Sequence, residues 1–264
     1  MKTRFEVISS RSAGERKQAV LEIRSLKKVF RVNDTFLNVL DDVDFKVAKG
    51  EFICIVGRSG CGKSTLLKIL AGFLCPSSGE ILLQGKQIVK PGPDRCVVFQ
   101  EDTLFPWLTV EENIAFGLKG RTGSKKAIRK EVERFLSLVD LTPFRDYLPR
   151  EISGGMKQRV ALARVLILKP KVLLMDEPFA SLDAQSREDM HRLLLSLWKT
   201  FSHTILFVTH DVMEAALLAD KILVMDKNPG KIREEFRVNL PRPRQRENRN
   251  LISVYQRLYN RLRD

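Results

Sequence analysis

The chain has 264 residues, 44% of them hydrophobic and 30% charged, and a formal net charge of +14. That length suits one large or two small domains with a sizeable core, and the composition excludes disordered, collagen-like and low-complexity architectures. So strong a positive excess calls for an anionic counterpart, which nucleic acid, a lipid surface or anionic small molecules would each supply.

Residues 1–20 are polar, and Met1 to Arg16 lacks the apolar stretch of a secretory signal. No apolar run anywhere approaches the length of a membrane-spanning helix. Val20 to Phe30 alternates loosely and predicts an edge strand, and Val43 to Val47 predicts a second strand. Glu51 to Val56 is a continuous apolar run ending at a glycine, the pattern of a strand buried on both faces. Ser64 to Leu74 then has apolar residues at helical spacing, so strand, glycine loop and helix open an α/β unit. Arg95 to Phe99 predicts a further strand. A helix-rich stretch follows, with Glu111–Leu118, Lys125–Asp140 and Met156–Leu168 as its helices. Strands return at Val172–Met175, Ile205–Val208 and Ile222–Met225, with helices at Ala184–Thr200 and Val212–Ala219 between them. The last segment, 231–264, is basic, with ten Lys or Arg against four Asp or Glu. In it Pro241 to Arg246 predicts an extended linker. Leu251, Val254, Tyr255, Leu258 and Leu262 mark one face of a short terminal helix expected to dock on its own protein. Cys54, Cys61, Cys75 and Cys96 show no paired spacing and are read as reduced thiols.

Gly57-Arg58-Ser59-Gly60-Cys61-Gly62-Lys63-Ser64, followed by Thr65, fits G-x-x-x-x-G-K-[ST]. Glycines let the loop wrap tightly, so its N–H groups and the helix N-terminus aim at phosphate oxygens. Lys63 adds a cation for the β- and γ-phosphates, and the Ser64 hydroxyl is a ligand for Mg²⁺. The strand ending at Met175 is closed by two acids, Asp176 and Glu177. Neighbours on a strand point to opposite faces, so one carboxylate is expected in the Mg²⁺ shell and the other at the attacking water. Ser153-Gly154-Gly155-Met156 opens a helix with a capping serine and free N–H donors suited to an anion.

These elements, with Gln100 after a strand, Ser181-Leu182-Asp183 and His210, stand in the order of an ABC transporter ATPase subunit, a family the sequence resembles over residues 21–230. Gly92-Pro93-Asp94-Arg95, Leu104 to Thr109 and Ser-Gly-Gly-Met156 are most similar to the nitrate/sulfonate/taurine type of importer. The resemblance implies an α/β fold: a P-loop NTPase (RecA-like) core with a mostly parallel sheet, an antiparallel β edge and a helical subdomain inserted at about 101–169. On this resemblance residues 21–230 are the ATPase domain, with ATP and Mg²⁺ as cofactors. It implies that Phe30 stacks on adenine, although a core phenylalanine would read the same way. Gln100 would sense Mg²⁺ together with Ser64 and Asp176, Glu177 would be the general base, and His210 would contact the γ-phosphate. Ser153 to Met156 would reach across a two-fold dimer to the ATP held by the partner's phosphate loop, with Ser181, Leu182 and Asp183 as the D-loop. The commonest family signature ends in Gln where this chain has Met156, so one amide contact is altered.

The implied partners are a second ATPase subunit, an integral membrane permease and, through it, a periplasmic or lipoprotein solute-binding protein. The chain would then sit in the cytoplasm, peripheral on the inner face of the membrane. The solute would be a small anion of the nitrate, sulfonate, taurine or bicarbonate type. A nucleic-acid-associated ABC-type ATPase is the alternative that the charge raises. Against it, the stretch from Lys63 to Asp176 is too short for a long coiled coil, and the chain holds a single ATPase unit. The basic tail is read as facing anionic lipid headgroups. Leu104 to Leu108 is apolar enough either to be buried in the helical insert or to form a permease groove. His191 and His203 lack the strand-end setting of His210 and are read as surface residues.

Overall fold

The computed structural model describes residues 19–101, 103–118 and 124–263, so all but the end of the expected N-terminal extension lies outside the described residues. β1 (Ala19–Val32) and β2 (Thr35–Ala48) form a long hairpin. With β4 (Ser78–Leu83) and β5 (Lys86–Gln87) they make an antiparallel sheet in the order β2-β1-β4-β5. β1 is therefore interior, not the edge strand its loose alternation predicts. Register shifts after Ile23 and Leu26 insert irregularities that blur the two-residue period.

A second sheet holds β3 (Phe52–Gly57), β6 (Arg95–Val98), β7 (Val172–Asp176), β8 (Thr204–Thr209), β9 (Lys221–Met225) and β10 (Ile232–Arg237). Its order is β10-β9-β3-β8-β7-β6, parallel except where β10 adds antiparallel to β9. β3 is buried on both faces, as its apolar run predicts. Phe52, Cys54 and Val56 face one hydrophobic cluster, and Ile53 and Ile55 face the other. The second cluster lies between the two sheets around α1 (Lys63–Ala71), whose Leu66, Leu67, Ile69 and Leu70 are buried there.

The opposite face carries α2 (Val110–Phe116), α3 (Lys125–Leu138), α4 (Gly154–Leu166), α5 (Ala184–Phe201), α6 (Val212–Leu218) and α7 (Arg249–Arg263). The helices between β6 and β7 fall within the stretch expected to be helix-rich, each within about two residues of its predicted bounds. Sequence reasoning missed β4, β5 and β10. All three are short, and β10 lies at the sheet edge with every second residue exposed.

The segment read as a basic linker folds back instead. Arg244 donates to the carbonyls of Ala216, Leu217 and Ala219 at the end of α6, and to those of Val238 and Leu240. Arg242 pairs with Asp220 and lies over the Trp198 ring. Burial pushes the Arg244 guanidinium down to about 10, still charged at neutral pH. α7 docks on its own protein as expected, burying Leu251 and Leu258.

Candidate functional site

Strand order brings the motifs together. β3, β8, β7 and β6 are consecutive parallel neighbours, with Val56 opposite Thr209, Val208 opposite Asp176, and Met175 opposite Val98. The glycine loop, His210, the two acids and Gln100 follow those four strands, so all four emerge at the carboxyl edge of one sheet. That edge is where ligands bind in open α/β folds.

The loop's shape depends on its glycines. A side chain at Gly57 would meet the Met225 carbonyl at 2.6 Å and Cys61 Sγ at 2.7 Å. Gly62 has φ 99° at the N-cap of α1, a left-handed conformation that disfavours other residues. Lys63 is buried, and its Nζ donates to the carbonyls of Gly57 at 2.9 Å and Arg58 at 3.3 Å. Among the described residues it has no ion-pair partner, so a buried cation stands at the mouth of the loop. Beside it, burial raises the Cys61 thiol, which stays protonated. Arg58 turns away and donates from Nε to the Leu262 carbonyl at the end of α7, 3.1 Å away.

Ser64 donates its hydroxyl to Asp176 Oδ1 at 3.1 Å. Burial raises the Asp176 carboxyl above its ordinary range, opposed by the Ser64 hydrogen bond. Among the described residues no cluster of three or more His, Cys, Asp or Glu forms a complete metal cage. The Ser64–Asp176 oxygen pair suits Mg²⁺, an ion that keeps several positions for water and phosphate oxygens. Hence these residues fit a nucleotide-borne Mg²⁺.

Glu177 departs from the alternation expected of the acid pair. Its φ is +45°, so it leaves the strand in a left-handed turn that an unbranched carboxylate tolerates only at some strain. Its backbone N–H still donates to the Val208 carbonyl at 2.9 Å, holding it against β8. The side chain ends 2.7 Å from His210, Oε2 to Nδ1. The turn, not the pleat, separates the two carboxylates.

Ser153 caps α4, its Oγ accepting from the Met156 N–H at 3.3 Å. A side chain at Gly154 would meet only Leu182 at 3.9 Å, and one at Gly155 only Ser186 at 3.8 Å, both ordinary contacts. Among the described residues nothing requires glycine at either position. Asp183 caps α5, accepting from the Ser186 N–H and hydroxyl, which hold its carboxyl below the usual range. Ser181 is exposed and Leu182 is buried against α4. Gln100 is exposed, and its carbonyl accepts from Gln158 Nε2 at 3.1 Å, tying it to α4. Phe30 is half-buried on β1, with Lys28 Nζ 4.9 Å above its ring.

Residues 40–180 match the ABC transporter family. The chain belongs to that family. The ATP-binding subunit is 47% identical over 84% of its length to the nitrate import ATP-binding protein NrtD of Synechocystis sp., covering 83% of that protein. It is 42% identical over 90% of its length to the aliphatic sulfonates import ATP-binding protein SsuB of Bacillus cereus, covering 94% of it. Its fold is similar to a dimeric ATP-binding cassette in a post-hydrolysis state bound to ADP and Pi, with TM-score 0.72 and 28% identity over 84% of this chain and 100% of that one. The subunit is an ABC-type ATPase whose cofactors are ATP and Mg²⁺.

Several organising residues of the ATPase carry no sequence motif. Asn113, fully buried on α2, accepts from the Phe105 N–H and donates to the carbonyls of Phe105, Leu108 and Thr109. It shapes the Leu104–Leu108 loop so that Trp107 is 72% exposed, with Phe105 between it and the half-exposed Phe116. The burial alternative is thereby overturned for Trp107. His191 is also not a surface residue: it is buried between α5 and α6 against Glu214. His203 is half-buried, and burial lowers its pKa. Among the described residues no helix is long and apolar enough to cross a membrane.

Proposed function

We propose that this ATPase powers import of a small anionic solute, of the nitrate, sulfonate, taurine or bicarbonate type, through a separate membrane permease supplied by a solute-binding protein. The observation that carries this reading is the 47% identity to a nitrate import ATP-binding protein across most of the chain. Two copies sandwich two nucleotides. Lys63 and the amides of Gly57 to Thr65 hold the phosphates of one copy, and Ser153, Gly154, Gly155 and Met156 of the other copy close over them. Support for the sandwich comes from Gly154 and Gly155, whose bareness serves no neighbour among the described residues, and from the dimeric cassette it resembles.

In that assembly Ser64, Asp176 and Gln100 would hold Mg²⁺, which would supply neutralisation of phosphate charge. Glu177 takes the proton of the attacking water, and His210 Nδ1 fixes the carboxylate that does so. Phe30 stacks on adenine, and Ser181, Leu182 and Asp183 line the junction of the two copies. The ATP-bound dimer is favoured because each nucleotide touches both chains, and hydrolysis removes that preference. The aromatic patch of Phe105, Trp107 and Phe116 receives a permease helix on the cytoplasmic side of the membrane.

The residue-by-residue test is Glu177→Gln. With saturating ATP it is expected to turn over at least about a hundredfold more slowly than wild type, the usual worth of a general base. Light scattering should then report a dimer mass. A monomer under those conditions, together with wild-type turnover, would remove both the base assignment and the sandwich.

A further inference from the structure

α5 and α6 flank the Glu177–His210 pair, and one buried polar contact joins them. His191 Nε2 lies 2.6 Å from Glu214 Oε1, with only 4% of the one residue and 5% of the other exposed. His191 Nδ1 is buried with no hydrogen-bond partner among the described residues, so Glu214 is the ring's one polar anchor. The imidazole also packs edge-on against Phe179, centroids 5.7 Å apart.

Each contact leads to one half of the catalytic pair. Phe179 follows Glu177 by two residues. Glu214 stands in the first turn of α6, its N–H held by Asp211 Oδ1, and Asp211 follows His210 directly. One turn before His191 on the same face of α5, Arg187 donates to the carbonyls of Phe179, Ala180 and Leu182. α5 thus grips the Glu177 loop through Arg187 and pins the His210 helix through His191.

Two apolar side chains would fill this space without the desolvation cost of a buried carboxylate, so packing alone does not call for a polar pair. A hydrogen bond fixes direction and distance where an apolar contact allows sliding. We propose that His191 and Glu214 are positioning residues for hydrolysis: they lock the first turn of α6 to α5 and so keep His210 within hydrogen-bond reach of Glu177. This inference rests on the roles of Glu177 and His210 given above.

The test measures kcat and KM for ATP, and the melting temperature, of full-length variants. His191→Leu is expected to lower kcat about ten- to a hundredfold, as small misplacements of catalytic groups do, with KM within about twofold. His191→Gln places an amide donor near the Nε2 position and should recover most of kcat. The double change His191→Leu with Glu214→Leu leaves no buried carboxylate unpaired, so it should recover the melting temperature while kcat stays low. Wild-type kcat in the double variant, or equal kcat for His191→Gln and His191→Leu, would overturn the proposal and leave a packing role. Should the leucine variants fail to fold, His191→Asn, whose amide falls a methylene short, takes their place; activity equal to His191→Gln would again overturn it. Glu177→Gln run in parallel separates the two claims. If it hydrolyses normally, the catalytic reading has failed; if it is inactive while the double variant is active, only the positioning role has.

Discussion

Lys63 is where charge and burial conflict most in this chain. An ammonium is rarely buried without an anion, yet its Nζ rests on two loop carbonyls and, among the described residues, no carboxylate. In the proposed role a triphosphate would resolve the conflict, since its oxygens would supply the missing negative charge. Lys63→Ala should therefore leave folding intact and abolish ATP binding or hydrolysis; titration with labelled ATP checks it, and undiminished binding and turnover would contradict the role. The motif made Lys63, Ser64 and the acid pair legible as candidates, because a short spacing sets them locally. It did not reveal the left-handed turn at Glu177, which the Val208 carbonyl on β8 helps impose. Nor did it reveal His191 or Asn113, whose partners lie far along the chain or on loop carbonyls that leave no pattern of residue types.

At the scale of elements, α4 shows most clearly how a local rule is set aside. Glycine near the start of a helix carries an entropic cost that alanine avoids, and here two occur in succession after a good serine cap. The space beside Gly155 admits a methyl group at ordinary contact distance. Gly155→Ala should thus raise the stability of the subunit by up to about 1 kcal/mol in denaturant unfolding while lowering ATP hydrolysis. A variant that is more stable and fully active would argue that nothing approaches this helix from outside. α2 follows local rules throughout: Thr109 and Glu112 form a reciprocal capping box, which the sequence-predicted start missed by one residue. β1 could not be read so simply. Its bulges shift the register, and only pairing with both β2 and β4 defines it as an interior strand.

For the molecule as a whole, the basic tail is tied to the fold by ion pairs and hydrogen bonds, while the net charge of +14, which already counts the acidic partners, stays on the protein. Lys231 pairs with Asp41, Arg233 with Asp226, Arg242 with Asp220 and Arg261 with Glu234, while Arg244 serves carbonyls at the end of α6. The tail therefore acts as a clasp across β9, β10 and α6, which weakens the case for a free basic arm. Arg244→Ala leaves those partly buried carbonyls without their donor and should cost about 1–3 kcal/mol in thermal or denaturant unfolding. An unchanged stability would mean that water replaces it. Trp107→Ala removes an exposed ring and should leave stability and ATP affinity unaltered while reducing co-purification with the proposed permease. Equal recovery of the permease would place the docking surface elsewhere.

The sequence by itself determined the family and the local motifs: a glycine loop between strand and helix, a Lys-Ser pair, an acid pair and a serine-capped helix start. Each is written in neighbouring residues whose types and spacing act within a few ångströms. Only the tertiary structure decided that β3, β8, β7 and β6 stand side by side, so that motifs from distant parts of the chain share one sheet edge. It also decided that Trp107 faces out, that His191 faces in and that the basic tail is pinned down. The shared edge depends on strand order, and His191 and the tail on polar partners distant in sequence; Trp107 depends on Asn113 bonding nearby loop carbonyls, which leave no pattern of residue types.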